Sequence, residues 1–229
     1  MRAPGLVPFE TKVKESDLFI LAEKDLREVA LASLRKEREN LEAYLRYDPR
    51  FGRSLEPVEV APFAPPICQL MAQAAQAAQV GPMAAVAGAV NEMVAQELLL
   101  HTGELLIENG GDLLVISSER RLVALYAGVH SPFSFRVGVR LPAGRWGVAT
   151  SSGTVGPSLS FGKADAVMVV SPSAAFADAW ATSLGNEVRE KGDVKRVLQK
   201  VQKLPHILGV VIAISDVLGV EGNLELEKL

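Results

Sequence analysis

The chain of 229 residues contains one cysteine, Cys68, and three histidines, His101, His130 and His206. A single thiol excludes an internal disulfide, and with it any dependence on an oxidising compartment. Cys68 follows a proline pair and opens an apolar helical pattern, so it reads as a small core residue. The histidines stand far apart with no pair at helical spacing, which excludes the common histidine-based metal motifs. Runs of one charge are also missing: 24 Lys and Arg face 27 Asp and Glu, for a formal net charge of −3. Without a basic block, nucleic acid is not an expected partner. A membrane is not expected either. No uninterrupted apolar run reaches about 18 residues, because Pro65, Pro66, Gly81 and Pro82 break the most apolar stretch, residues 63–100. The N-terminal residues show no signal-peptide pattern, so the expected location is the cytoplasm. Oligomerisation is left open, including a homo-oligomer.

Hydrophobic residues make up 48% and charged residues 22%, which places the chain with ordinary globular proteins able to bury a core. "LFILA" (18–22) reads as a strand. From Asp25 to about Arg46, Leu26, Val29, Ala30, Leu34, Leu41 and Leu45 recur at helical spacing, and the charged residues between them are the solvated side of that helix. A connection with five prolines in residues 47–66 follows, then helices over 67–79 and 81–100, the second opened by Pro82. After His101 the pattern changes to short apolar runs divided by turn residues, which predicts a meander of strands. Helices return over 172–190 and 193–203, "ILGVVIAIS" reads as a central strand, and "NLELEKL" as an edge strand. The expectation is one α+β domain over 1–229, a mainly antiparallel sheet with packed helices.

Three glycine-containing segments bear on chemistry. In "ENGGD" (108–112), Gly110 and Gly111 suit a two-residue hairpin turn. The other reading opens their amides to a ligand, with Asn109 and Asp112 as polar contacts. The segment 150–163 gathers Thr150, Ser151, Ser152, Gly153, Thr154, Ser158, Ser160 and Lys163. It is either a solvated loop or a holder of phosphate or a nucleotide edge, and it lacks the Gly-Lys-Ser/Thr ending of a P-loop. In "ADAWAT" (177–182), Asp178 and Thr182 lie four residues apart, so a helix places both oxygens on one face. Asp178 there is either a first-turn carboxylate favoured by the helix dipole or, with Thr182, an oxygen site for a hard cation such as Mg²⁺.

These stretches together, with "KESDLFILAEKDL" and "GPMAAVAGAVNEMV", resemble the ApbE-related family, a largely uncharacterised branch of the ApbE superfamily. The founding ApbE proteins are Mg²⁺-dependent flavin transferases that move FMN from FAD onto a protein threonine. The resemblance implies an ApbE-like α+β fold and a site for Mg²⁺ and FAD. The transferase pattern Ala-Asp-Ala-x-Ala-Thr implies that Asp178 and Thr182 are metal ligands, with the backbone at Ala84 completing them. It further implies flavin contacts at Gly110, Gly111 and Asp112, and at Ser152 and Gly153; Asn109, Ser151 and Thr154 beside them are expected to join as polar contacts. The chain departs from the transferases in two places. It runs from Gly153 to Ala164 without their His-His-Ile segment, and it carries Ala85-Val86 where their helix motif has Lys-Gly. The functional expectation is therefore a Mg²⁺-dependent flavin- or nucleotide-binding or flavin-transfer protein. The alternatives are a binding module without turnover and a role in sulfur metabolism.

Overall fold

The computed structural model describes residues 3–154, 161–204 and 206–229. Ser158 and Ser160 lie outside the described residues. The chain opens with an antiparallel pair, β1 (Val7–Val13) and β2 (Ser16–Ala22), turned through Lys14 at φ 53°. Only the second of these strands stands out in the sequence. Helix α1 (Arg27–Tyr47) buries Ala30, Leu34, Leu41 and Tyr44 at the helical spacing that predicts it. A single turn, α2 (Arg50–Arg53), leads into the proline-rich connection, which the Tyr44 hydroxyl ties down by accepting the Ala61 N–H at 2.9 Å. Helix α3 (Pro66–Ala78) starts on a proline whose missing N–H has no partner to lose in a first turn.

The sequence predicts one helix over 81–100, and here the structure differs. Pro82–Ala85 form a 3-10 turn, Ala85 sits at φ −122°, ψ 9°, and α4 (Val86–Leu98) begins only after it. Ala84 and Ala85 are strong helix formers, so their own propensity does not account for the break. Strands β3 (Leu105–Asn109), β4 (Asp112–Ser117), β5 (Arg121–Ala124), β6 (Val137–Leu141), β7 (Gly144–Ser151) and β8 (Ala166–Ser171) follow. The chain closes with α5 (Ala174–Glu187), α6 (Asp193–Val201), β9 (Gly209–Ile214), β10 (Val217–Gly222) and β11 (Glu225–Lys228).

The fold is α+β with antiparallel sheets, as expected, but the strands do not form one meander. The large sheet runs β1-β2-β3-β4-β7-β8-β9-β10, with every neighbour antiparallel. Strands β5 and β6 leave it and join β11 in a second sheet of order β11-β6-β5. One face of the large sheet, carrying Ile20, Ile107, Val169 and Ile212, packs under the helices. The other face, carrying Leu21, Leu106, Val170 and Val211, packs with Val123, Val139 and Leu141 of the small sheet. Both faces are therefore dry in the middle, and β8 and β9 are buried at every residue. This is why those strands read as unbroken apolar runs rather than alternating ones.

Helix α5 lies on β7 and β8 and against α3 and α4. Two glycines set how close it comes. A Cβ on Gly88 would fall 2.2 Å from the Ala174 carbonyl oxygen, and one on Gly147 would fall 2.3 Å from the Ala174 Cα. Both obstacles are backbone, so neither can swing aside. We expect Gly147→Ala to cost about 2–3 kcal/mol by overpacking, a loss of roughly 5–10 °C in Tm. A thermal melt tests this, and an unchanged Tm would mean that α5 does not sit so tightly on β7.

Candidate functional site

The break at Ala85 has a local consequence. It places the start of α4 at Val86, and first-turn amides have no partner inside their own helix. The Asp178 carboxylate on α5 accepts the Gly88 N–H at 3.1 Å. The reverse also holds: Glu92 on α4 accepts the Ala175 N–H at 3.2 Å and the Ser173 hydroxyl at the start of α5, while Arg145 pairs with its other oxygen at 3.1 Å. Each helix thus supplies a carboxylate to the positive end of the other. Asp178 belongs to the structural frame whatever else it does.

Asp112 arrives from the opposite direction. It pairs with Asn109 across the β3–β4 hairpin, whose turn residues Gly110 and Gly111 have φ of 63° and 104°. Two consecutive positive φ values are what a tight two-residue hairpin demands, so the glycine pair makes the turn. The Asp112 carboxylate accepts the Thr150 N–H at 3.2 Å, and its carbonyl accepts the Asn91 side-chain amide at 3.1 Å. The Asn109 amide donates to the Ala87 carbonyl at 3.4 Å. The hairpin is therefore fastened to the first turns of α4, beside Asp178.

Asp112 and Asp178 are half-buried neighbours, near enough for each to act on the other's ionisation. Burial pushes Asp178 up to about 7, against the pull of the Gly88 N–H, the Asp112 carboxyl and the Ala87 N–H. Burial, followed by the charge of Asp178, holds Asp112 well above the usual carboxylate range. Two neighbouring carboxylates that are partly withdrawn from water resist ionising together without a counter-charge. The arrangement favours a retained proton or a bound cation.

The pair stands at a cleft of about 630 Å³. Ala84, Asn109, Gly110, Asp112, Asp178 and Thr182 all line it. The structure thus brings together the three metal-ligand candidates and three of the flavin-contact candidates, from segments remote in sequence. Thr182 follows Asp178 by one turn on the same face of α5, as the spacing predicts. The oxygen donors there, carboxylate and hydroxyl, suit a hard divalent cation such as Mg²⁺. Among the described residues no three His, Cys, Asp or Glu side chains gather, so any such ion would rely on two carboxylates plus neutral oxygens.

The remaining candidates lie elsewhere. Gly111 lines a second cleft, of about 1030 Å³, on the other face of the large sheet. Ser151, Ser152, Gly153 and Thr154 are not among the residues lining the first cleft. Ser151 ends β7 beside Gly185, the Ser152 hydroxyl accepts the Thr154 N–H at 3.1 Å, and the Gly153 N–H donates to the Ala164 carbonyl at 2.9 Å. Backbone packs on backbone there: a Cβ on Gly153 would meet the Gly162 carbonyl at 2.2 Å, and one on Gly162 would meet the Gly185 carbonyl at 1.9 Å. The glycines of this segment seat it on the C-terminal half of α5. Phe161, held by its N–H to the Asn186 side-chain oxygen at 2.9 Å, reaches the cleft from this seat.

Three lining residues carry no signal in the sequence: Arg53, Phe161 and Asn186. Arg53 comes from the proline-rich connection, which has no local pattern that marks it. Cys68 takes no part. It is fully buried on α3, and burial pushes its thiol up to about 12, so it offers no thiolate for sulfur chemistry.

Comparison with known proteins shows the family and the fold. The family described as AbpE bacteria matches residues 2–206. A UPF0280 protein of Methanocella arvoryzae is 35% identical over 230 residues, covering 98% of this chain and 93% of its own. A UPF0280 protein of Methanococcus vannielii is 38% identical, covering 93% and 89%. Among solved structures, a mutant flavin transferase ApbE from Vibrio cholerae superposes with a TM-score of 0.61 at 12% identity, covering 95% of this chain and 98% of that one. The apo flavinyl transferase ApbE of Pseudomonas stutzeri superposes with a TM-score of 0.60 at 13% identity, covering 94% and 93%. At such identities the likeness establishes a shared fold. No helix among the described residues is long and apolar enough to cross a membrane.

Proposed function

The chain belongs to the family described as AbpE bacteria, and from that premise we propose that its 630 Å³ cleft binds a flavin nucleotide together with a divalent cation. The observation that carries this reading is the Asp112–Asp178 pair, two carboxyl groups from separate elements joined in one cleft with Thr182 and Ala84. A carboxyl pair partly withdrawn from water is costly unless something compensates it, and a divalent ion held by oxygens does so. Such an ion supplies positive charge against phosphate oxygens when bound. Support for the flavin comes from structural neighbours that are flavin transferases, and from Phe161, an aromatic ring available at the cleft for stacking on a flat heterocycle.

The proposed site belongs to one of two proteins. A transferase would cleave the phosphoanhydride of FAD, move the FMN phosphorus onto a threonine oxygen and release AMP. A carrier would bind and release FAD unchanged. Among the described residues that line the cleft there is no histidine, which favours the carrier. Titration of the protein with FAD, followed by flavin fluorescence with and without Mg²⁺, tests the binding. We expect saturable binding in the micromolar range, roughly −8 kcal/mol, that Mg²⁺ tightens at least about ten-fold. Chromatography of the nucleotides then separates the two proteins by the appearance of AMP. No saturation at high micromolar FAD with Mg²⁺ present would overturn the flavin reading.

A further inference from the structure

We propose that Arg53 is the phosphate anchor of this cleft, selecting ligands that carry a diphosphate; the inference deepens the nucleotide reading above and rests on it. Among the described residues lining the cleft, Arg53 is the one cation, and the other charged groups there are Asp112 and Asp178. It has no ion pair or side-chain hydrogen bond among the described residues. Arg50, one turn earlier, contrasts with it: the Asp48 carboxylate holds Arg50 at two points, 2.9 and 2.7 Å. The two arginines share a single turn of helix, yet only the one away from the cleft is neutralised.

The backbone that presents Arg53 is fixed. Phe51 is fully buried and meets Tyr44 edge-on at 5.2 Å between ring centroids. The Ser54 N–H donates to the Arg50 carbonyl at 2.9 Å. The Ser54 carbonyl lies so close to Gly81 that a Cβ there would come within 1.9 Å of it. Gly81 caps the 3-10 turn that ends at Ala85, so the segment carrying Arg53 packs backbone to backbone on the turn carrying Ala84. Arg53 is exposed, but it does not sit on an unanchored loop. An unpaired arginine on a wall locked to the cation-site turn is placed for a ligand.

Charge balance gives the ligand class. A divalent ion on the Asp112–Asp178 pair is offset by those carboxylates, leaving little positive charge for a diphosphate that carries two negative ones. The guanidinium supplies it, and its planar fork matches two phosphate oxygens at once.

Calorimetric titration with Mg²⁺–pyrophosphate, FAD and riboflavin, on wild type, Arg53→Ala and Arg53→Lys, tests the proposal. Arg53→Ala should weaken pyrophosphate and FAD at least about ten-fold, the scale of one lost bidentate charge-assisted contact. Riboflavin, which lacks phosphate, should bind Arg53→Ala as it binds wild type, and Arg53→Lys should recover part of the loss. Equal pyrophosphate and FAD binding by wild type and Arg53→Ala overturns the proposal and leaves the flavin reading standing. Loss of riboflavin in parallel with FAD also overturns it, because the residue would then only shape the wall. Pyrophosphate binding that depends on Arg53, with no FAD binding, upholds the anchor and removes the flavin. If wild type binds neither ligand, both readings fall.

Discussion

Asp178→Asn is expected to abolish the Mg²⁺-dependent part of FAD binding while raising the Tm of the metal-free protein at pH 8. The two effects have separate causes in one side chain. The carboxylate accepts the Gly88 N–H at 3.1 Å and so caps α4; the asparagine carbonyl can accept the same bond, so the α4–α5 junction survives. The negative charge is what Asn removes. Groups merely hydrogen-bonded to a metal ligand are worth 10–100-fold in affinity, so removal of a charged ligand should weaken Mg²⁺ by at least about 100-fold. The metal-free protein gains, because Asp112 no longer faces a second carboxylate in a half-buried setting. Asp178→Ala should behave differently: it removes the cap along with the charge, and the orphaned Gly88 amide lowers Tm. A Mg²⁺ effect that persists in Asp178→Asn, with Tm unchanged, would reduce Asp178 to a capping residue.

The sequence makes that residue visible but not its surroundings. Asp178 and Thr182 stand out because a four-residue spacing on an otherwise apolar helix has few explanations, and the glycine pair at 110–111 points to Asp112 because a tight turn fixes where the next residue goes. These are local signals. The break at Ala85 is not legible locally: Ala84 and Ala85 are strong helix formers, yet a 3-10 turn ends there and α4 starts at Val86, with Gly88 in its first turn against Ala174. The same limit applies to strands. Apolar runs show that β3 to β8 are buried, but burial does not name a neighbour, so the departure of β5 and β6 to a second sheet is invisible. β1 alternates weakly on a sheet edge, around Pro8, and offers little pattern. Arg53 is the extreme case. Nothing near it in sequence distinguishes it from the other arginines of a surface segment, and only the packing of Ser54 on Gly81 brings it to the cleft.

In the metal-free protein, stability should fall as pH rises from 5 to 8, and Mg²⁺ should flatten that decline. The sign follows from the direction of the shift. Asp178 is raised from 3.8 to about 7 in the folded state, so between those values the native state binds the proton that the unfolded chain has released. Protonation therefore favours the fold, the contribution is complete below about pH 4, and it is lost as pH climbs through about 7. Roughly three units at 1.36 kcal/mol each sets a ceiling of about 4 kcal/mol; water in the cleft lowers it, to about 2 kcal/mol. That corresponds to roughly 5 °C in Tm for a chain of this size. Glu104 works in the opposite sense and in another window. Burial would raise it, but the hydroxyls of Ser117 and Ser118, the Ser118 N–H and Arg121 outweigh that and hold it at about 2. Its stabilisation is lost only as pH falls from above 4 toward 2, so it adds no slope between 5 and 8. The difference between wild type and Asp178→Asn isolates the contribution of this one residue. Saturating Mg²⁺ should raise the wild-type Tm more at pH 8 than at pH 5, since at low pH the ion must first displace the shared proton. Calorimetry at pH 6 in two buffers of different ionisation enthalpy should then report close to one proton released per ion bound. A flat Tm profile between pH 5 and 8, or an equal Mg²⁺ gain at both ends, would show that the two carboxyls do not share a proton and that the cation site has been placed on the wrong residues.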